Sequence, residues 1–195
     1  MQATIPSGVI TGRVLPRSTT WTIALTVGFA LLTAAAAQVR IPLPFTPVPI
    51  TGQTFAVLLS GAALGATWGG ASQLLYVMLG TVGLPFYAGG ESGWTYATGG
   101  TGGYLVGFIL AAYVVGYLAE QRQDRSVASA IPAFLAGNLI IYAVGVPWLY
   151  IAAESITTGE AALAAGFTPF IAGDLVKIVL AGLILPAAWK LTSRH

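Results

Sequence analysis

Gly65-Ala66-Thr67-Trp68-Gly69-Gly70 stands in the middle of 35 residues, bounded by Pro49 and Pro85, that carry no charged side chain. Such a run is long for one membrane span, which takes about 20 residues. Clustered glycines weaken a helix at the point where a second span would have to begin. The run therefore reads as two short spans, 52–65 and 67–83, joined by a tight reversal. An independent sign agrees: in one long helix Trp68 would sit in mid-membrane, whereas a reversal returns it to an interface, where indoles concentrate.

The composition supports a membrane setting. Hydrophobic residues make up 56% of the 195 and charged residues 7%, with a mean hydropathy of +0.81. A soluble domain carries roughly 25% charged residues, so a soluble globule is excluded, as is a disordered chain. A net charge of +2 is too small and scattered for a nucleic-acid surface. There are no cysteines, and the single histidine is His195; disulfides, thiolate metal sites and most imidazole chemistry fall away. The expectation is an all-α integral membrane protein with six transmembrane helices: a cytoplasmic N-terminal tail over 1–18, then one domain over 19–195. Its spans run over roughly 19–39, 52–65, 67–83, 101–119, 128–151 and 169–191.

The first span resembles a signal peptide, with Arg17 ahead of it and Ala35-Ala36-Ala37 at its end; nothing downstream reads as a soluble mature protein. Four prolines keep Arg40 to Ile50 from forming a regular helix. Gly83 to Gly103 reads as a long loop, and a second loop carries Glu154 and Glu160. Arg13, Arg17, Arg122, Arg125, Lys190 and Arg194 fall on the side of the termini, and Arg40, Glu91, Glu154 and Glu160 on the other. The positive-inside bias makes both termini cytoplasmic. Trp21, Trp68 and Trp189 then mark the inner boundary, and Trp94 and Trp148 the outer. Gly61, Gly65 and Gly69, like Gly103, Gly107 and Ala111, repeat every four residues, a spacing that lines one helix face for close packing within the bundle.

Two charged residues sit at membrane depth, Asp174 and Lys177. They are three apart and share a helix face. Each costs roughly 2.5–3.5 kcal/mol on insertion scales, so an intramembrane pair is a functional candidate by default; the alternative is an ion pair that only neutralises itself. Lys177 can hold an anionic group or donate to a carbonyl, and Asp174 can accept from N–H groups. Gln53 and Thr54 at the head of the second span, and Asn138 and Tyr142, four apart on the fifth, are further candidates; interhelical hydrogen bonding explains such groups equally well. The outer loop brings Tyr87 and Gly89 to the mouth, either over a ligand or among headgroups.

No P-loop is present. Gly90-Glu91-Ser92-Gly93 superficially resembles an intramembrane serine-protease motif, but that chemistry needs a base in the membrane and His195 is at the tail. Neither an enzyme, a metal site, a cofactor nor an ion channel is expected, and no inverted repeat of the transporter kind is visible.

Arg40-Ile-Pro-Leu-Pro-Phe-Thr-Pro-Val-Pro-Ile-Thr-Gly-Gln-Thr, followed by Gly83-Leu-Pro, Ala88-Gly-Gly, Thr101-Gly-Gly-Tyr and Gly173-Asp-Leu-Val-Lys, resembles the BioY family in order and over all six spans. BioY proteins are the biotin-specific S components of energy-coupling factor (ECF) transporters. Gly100 stands where that family usually has proline. The resemblance implies a six-helix S component in the bacterial cytoplasmic (inner) membrane, surrounded by lipid, that captures biotin from outside. It also implies a transmembrane T component and two ATPase subunits as partners, which alone use ATP. Asp174 would suit the ureido N–H groups and Lys177 the carboxylate or carbonyl, with the end that meets Lys177 left open. The proline-rich first loop would act as a lid. Ala30 and Ala34 resemble the family's A-x-x-x-A coupling motif, although ordinary packing fits them nearly as well. The alternatives are an S component for another vitamin and a stand-alone biotin facilitator.

Overall fold

The computed structural model describes residues 4–192; Arg194 and His195 lie outside them. A short helix α1 (Ile10–Val14) precedes the long α2 (Thr19–Gln38), which the Ser18 hydroxyl caps by accepting from Trp21 N at 3.2 Å. The proline-rich stretch forms a two-residue antiparallel ribbon, β1 (Arg40–Ile41) with β2 (Ile50–Thr51), and leads into α3 (Gln53–Thr81). A one-turn helix α4 (Trp94–Thr98) interrupts the next loop; α5 (Gly102–Glu120) and α6 (Val127–Ala152) follow. The chain closes with α7 (Gly159–Gly166), a 3-10 turn at Thr168–Phe170 and α8 (Ile171–Thr192). Among the described residues five helical runs are long and apolar enough to cross a membrane, α7 and α8 counting together. The helices α2, α5, α6 and α8 begin and end within two residues of the apolar runs read from the sequence.

The third of these runs is folded back on itself. Gly65 has φ +83° and ψ 178°, a conformation open essentially to glycine. Gln53 Nε2 donates to Tyr76 Oη at 2.6 Å, although 23 residues along one straight helix would separate them by about 34 Å. Gln73 Nε2 likewise reaches Ser60 Oγ at 2.9 Å. The element is thus a helical hairpin with limbs 53–64 and 66–81. The expectation that Gly61, Gly65 and Gly69 share one face does not hold: Gly65 is the turn, and Gly61 and Gly69 meet across it. A Cβ on Gly69 would come within 2.7 Å of Gly61 Cα. The turn is capped from α5, where Glu120 Oε1 accepts from Ala66 N at 2.9 Å. Gly107, by contrast, does pack as expected, against the α6 backbone at Ile141.

Three parts of the chain differ from expectation. The segment before α2 packs on the bundle: Ile5 and Val9 are buried, Thr11 Oγ1 donates to Ala63 O at 2.5 Å, and Arg125 Nη2 donates to Gly8 O at 2.7 Å. The two outer loops contain α4 and α7. Trp189 is buried rather than interfacial. Its Nε1 donates to Asp124 Oδ2 at 2.5 Å, and the Arg125 guanidinium lies 3.3 Å above its ring. Polar partners inside the protein took the indole from the belt.

Buried side chains form two clusters along the bundle, one around Tyr76, Tyr104, Phe108 and Ile141, the other around Leu58, Val115, Phe134 and Leu185. Outside, α8 exposes Leu175, Val176, Val179, Leu180, Leu183 and Ile184, an apolar face suited to a hydrocarbon surround or a partner and not to water. Ala30 and Ala34 point the other way. They are 0% and 7% exposed and belong to the core, so in the isolated chain they pack the bundle and present no docking surface, whereas Ala24 and Gly28 are exposed.

Candidate binding site

A cavity with about 560 Å³ of space, the open mouth included, lies between the ribbon and the bundle. Its polar floor comes from three helices: Gln53 and Thr54 where α3 begins, Tyr142 on α6, and Asp174 and Lys177 on α8. Tyr104, Leu105 and Phe108 of α5 make an apolar wall with Ile141 and Phe170, and Val48, Pro49, Ala88 and Tyr96 form the roof.

Asp174 is the hub of the floor. It is 3% exposed. Oδ1 accepts from Lys177 Nζ at 2.9 Å and from Thr54 Oγ1 at 3.1 Å; Oδ2 accepts from Asn138 Nδ2 at 3.1 Å and from Tyr142 Oη. A carboxylate has about four lone-pair positions, and here four donors fill them. Lys177 Nζ also donates to Thr54 Oγ1 at 2.9 Å, which leaves one of its three N–H groups for the cavity. The pair forms because residues three apart on α8 face the same way, and the extra hydrogen bonds make its burial tolerable. On the other side of Asp174, between α6 and α8, a second, open fissure of about 340 Å³, its outer side included, lies among Leu135, Leu139, Ile171 and Leu175. Tyr142 and Asp174 border both voids, whereas Asn138 borders only this fissure.

The roof is tied to α2. Gly52 N donates to Ala36 O at 3.1 Å and to Val39 O at 3.2 Å, and Gln38 Nε2 donates to Tyr87 O at 3.2 Å. Tyr87 and Gly89 stand behind the roof and do not line the cavity. Tyr87 is fully buried and stacks on Tyr96, ring centroids 5.0 Å apart, with its hydroxyl donating to Val77 O at 2.8 Å. Gly89, at φ +78°, leaves room for the Arg40 guanidinium. Burial raises the Tyr87 and Tyr96 hydroxyls above the ordinary tyrosine range, so both stay neutral. Arg40 borders the vestibule outside the roof, with Glu91 and Tyr96.

Of the residues singled out from the sequence, Gln53, Thr54, Tyr142, Asp174 and Lys177 line the cavity together, and Asn138 supports Asp174 from behind. The aromatic lining of Tyr96, Tyr104, Phe108 and Phe170 was missed. Tyr104 and Phe108 are four apart on α5, a spacing that could have marked a shared face, but aromatics on an apolar helix look like any core.

A helical membrane bundle with one polar hub beneath a roofed cavity is the architecture of a substrate-binding transport subunit. The solved structure of the S-component for biotin from an ECF-type ABC transporter is similar, with a TM-score of 0.78 and 26% identity over 88% of this chain and 92% of that one. The fold is therefore that of an ECF S component.

The sequence profile of the BioY family matches residues 11–194, and the chain belongs to that family. The biotin transporter BioY of Thermotoga maritima is 43% identical over 156 residues, covering 80% of this chain and 88% of the relative. That of Rhodobacter capsulatus is 40% identical over 163 residues, covering 80% and 85%. This is a family of transporters, not of enzymes.

Proposed function

We propose that this chain is the biotin-binding S component of an ECF transporter, crossing the cytoplasmic membrane six times with both termini inside. The α3 hairpin supplies two of the crossings. Arg13, Arg17, Arg122, Arg125 and Lys190 then all fall on the cytoplasmic side. A T component and two ATPases would supply the energy, since the chain has no P-loop.

The observation that carries the reading is the Asp174–Lys177 pair on the cavity floor. It also orients the ligand. Asp174 already neutralises Lys177, so a carboxylate at the floor would bring an uncompensated charge to membrane depth. Arg40, at the mouth, has no carboxylate partner among the described residues. The ureido ring therefore goes to the floor, its carbonyl on the spare N–H of Lys177, and the valerate carboxylate stays beneath Arg40. Titrating the detergent-purified chain with labelled biotin tests this. Saturable binding that riboflavin and thiamine do not compete is the expected result, and its absence would reject the reading.

A further inference from the structure

Asn138 Oδ1 is buried without a hydrogen-bond partner, although the residue is only 5% exposed. Such an acceptor is rare in a folded protein and calls for a reason. Its amide cannot be reversed to relieve it, because Nδ2 faces Asp174 Oδ2 and a carboxylate only accepts. One turn further along α6, Tyr142 Oη spends its proton on the same Oδ2. Both side chains border the fissure, and Tyr142 is the partition between fissure and cavity.

On the reading that a ureido ring occupies the floor, its N–H groups meet an Asp174 whose acceptor positions are full. One donor has to leave. Thr54 and Lys177 hold Oδ1 and each other, and Asn138 can move only by abandoning its single bond. Tyr142 has somewhere to go: it shares Asp174 Oδ2 with the Asn138 amide one turn away on the same helix face, and both side chains border the open fissure into which the ring can turn.

We propose that Tyr142 is an exchange gate: its hydroxyl sits on Asp174 in the empty protein and moves to Asn138 Oδ1 when a ligand N–H takes its place. The exchange leaves Tyr142 with one hydrogen bond and Asp174 with four donors, fills the orphaned acceptor only in the occupied state, and admits ligands that carry an N–H donor. Tyr142 is thus a specificity-determining residue that competes with the ligand.

Tyr142→Phe separates this role from direct contact. The charge-assisted bond given up by the empty protein is stronger than the neutral one gained, so removing the hydroxyl should tighten biotin binding about three- to tenfold. The gain should vanish for an analogue whose ureido nitrogens are methylated, which has no N–H to exchange. Asn138 is the only asparagine in the chain, so asparagine carrying a ¹³C side-chain carbonyl gives one infrared probe. Its stretch should move to lower wavenumber when biotin binds the parent chain, and stay put in Tyr142→Phe. Equal or weaker biotin binding by Tyr142→Phe, or a carbonyl that does not shift in the biotin-bound parent chain, overturns the gate and leaves the functional reading intact. Failure of the parent chain to bind biotin at all overturns both.

Discussion

Removing Asp174 alone should damage the protein far more than removing Asp174 and Lys177 together. In Asp174→Leu, Lys177 Nζ loses its counter-ion at 2.9 Å, and Asn138 Nδ2 and Tyr142 Oη lose their acceptor. Breaking a buried ion pair from one side costs about 3–5 kcal/mol. The side chain of Lys177 is 18% exposed, which places the expected loss toward the lower end, about 3 kcal/mol. For a domain of this size that is a fall of roughly 6–12 °C in unfolding temperature. Asp174→Leu/Lys177→Met leaves no stranded charge, and apolar replacements of buried pairs are often neutral or better, so the double variant should recover to within about 1 kcal/mol of the parent. Binding should not recover. Each charge-assisted bond to the ligand is worth about 1.5–3 kcal/mol, or some ten- to hundredfold in affinity. Thermal unfolding in detergent and biotin titration on the parent, the single variant and the double variant separate the two effects. A double variant as unstable as the single would refute the charge argument, and one that binds biotin normally would refute the site.

Gly65→Ala should cost about 1–3 kcal/mol or more, because φ +83° is closed to alanine and the added methyl meets the Glu120 carboxylate; an unfolding temperature unchanged within 1 or 2 °C (~0.5 kcal/mol) would contradict the hairpin. Arg40→Gln should weaken biotin capture and flatten its salt dependence, while biotinol, which lacks the carboxylate, should bind parent and variant alike. Asp124 lies outside the spans, and burial raises its carboxyl above the usual range, with Trp189 and Arg125 drawing it partly back. The folded state therefore holds its proton longer than the unfolded one, and the stability this gives is full below the unfolded pKa and lost as pH rises through the folded one. Relative to Asp124→Asn, the parent should thus lose unfolding temperature as pH rises from about 4; a difference constant with pH would exclude the linkage.

The charge-poor composition and the apolar runs made most of the helices legible, because a bilayer demands long uninterrupted segments. The reversal at Gly65 was legible from glycine clustering and Trp68. The small elements were not. β1 and β2 pair two residues each, and α4 and α7 are set by what they cover, which leaves no periodicity to read. Asp174 and Lys177 stood out because charge is costly at depth, and Asn138 and Tyr142 because they share a turn; Tyr104 and Phe108 carried no such contrast. The belt reading of Trp189 failed because an interface indole and a packed one are the same letter, and Ala30 and Ala34, buried in the isolated chain, are ambiguous in the same way, since a docking alanine and a core one look alike.

The helical hairpin also shapes the surroundings. Limb 53–64 rises about 18 Å and limb 66–81 about 24 Å at 1.5 Å per residue, against a hydrocarbon thickness near 30 Å, while α6, with 26 residues, reaches about 39 Å. No residue of limb 53–64 is exposed, whereas limb 66–81 turns Thr67, Leu74 and Met78 outward. On the six-crossing reading, the limb too short to span is the one that the protein itself surrounds. Mismatch with lipid, at fractions of a kcal/mol for each ångström, then falls on limb 66–81 alone.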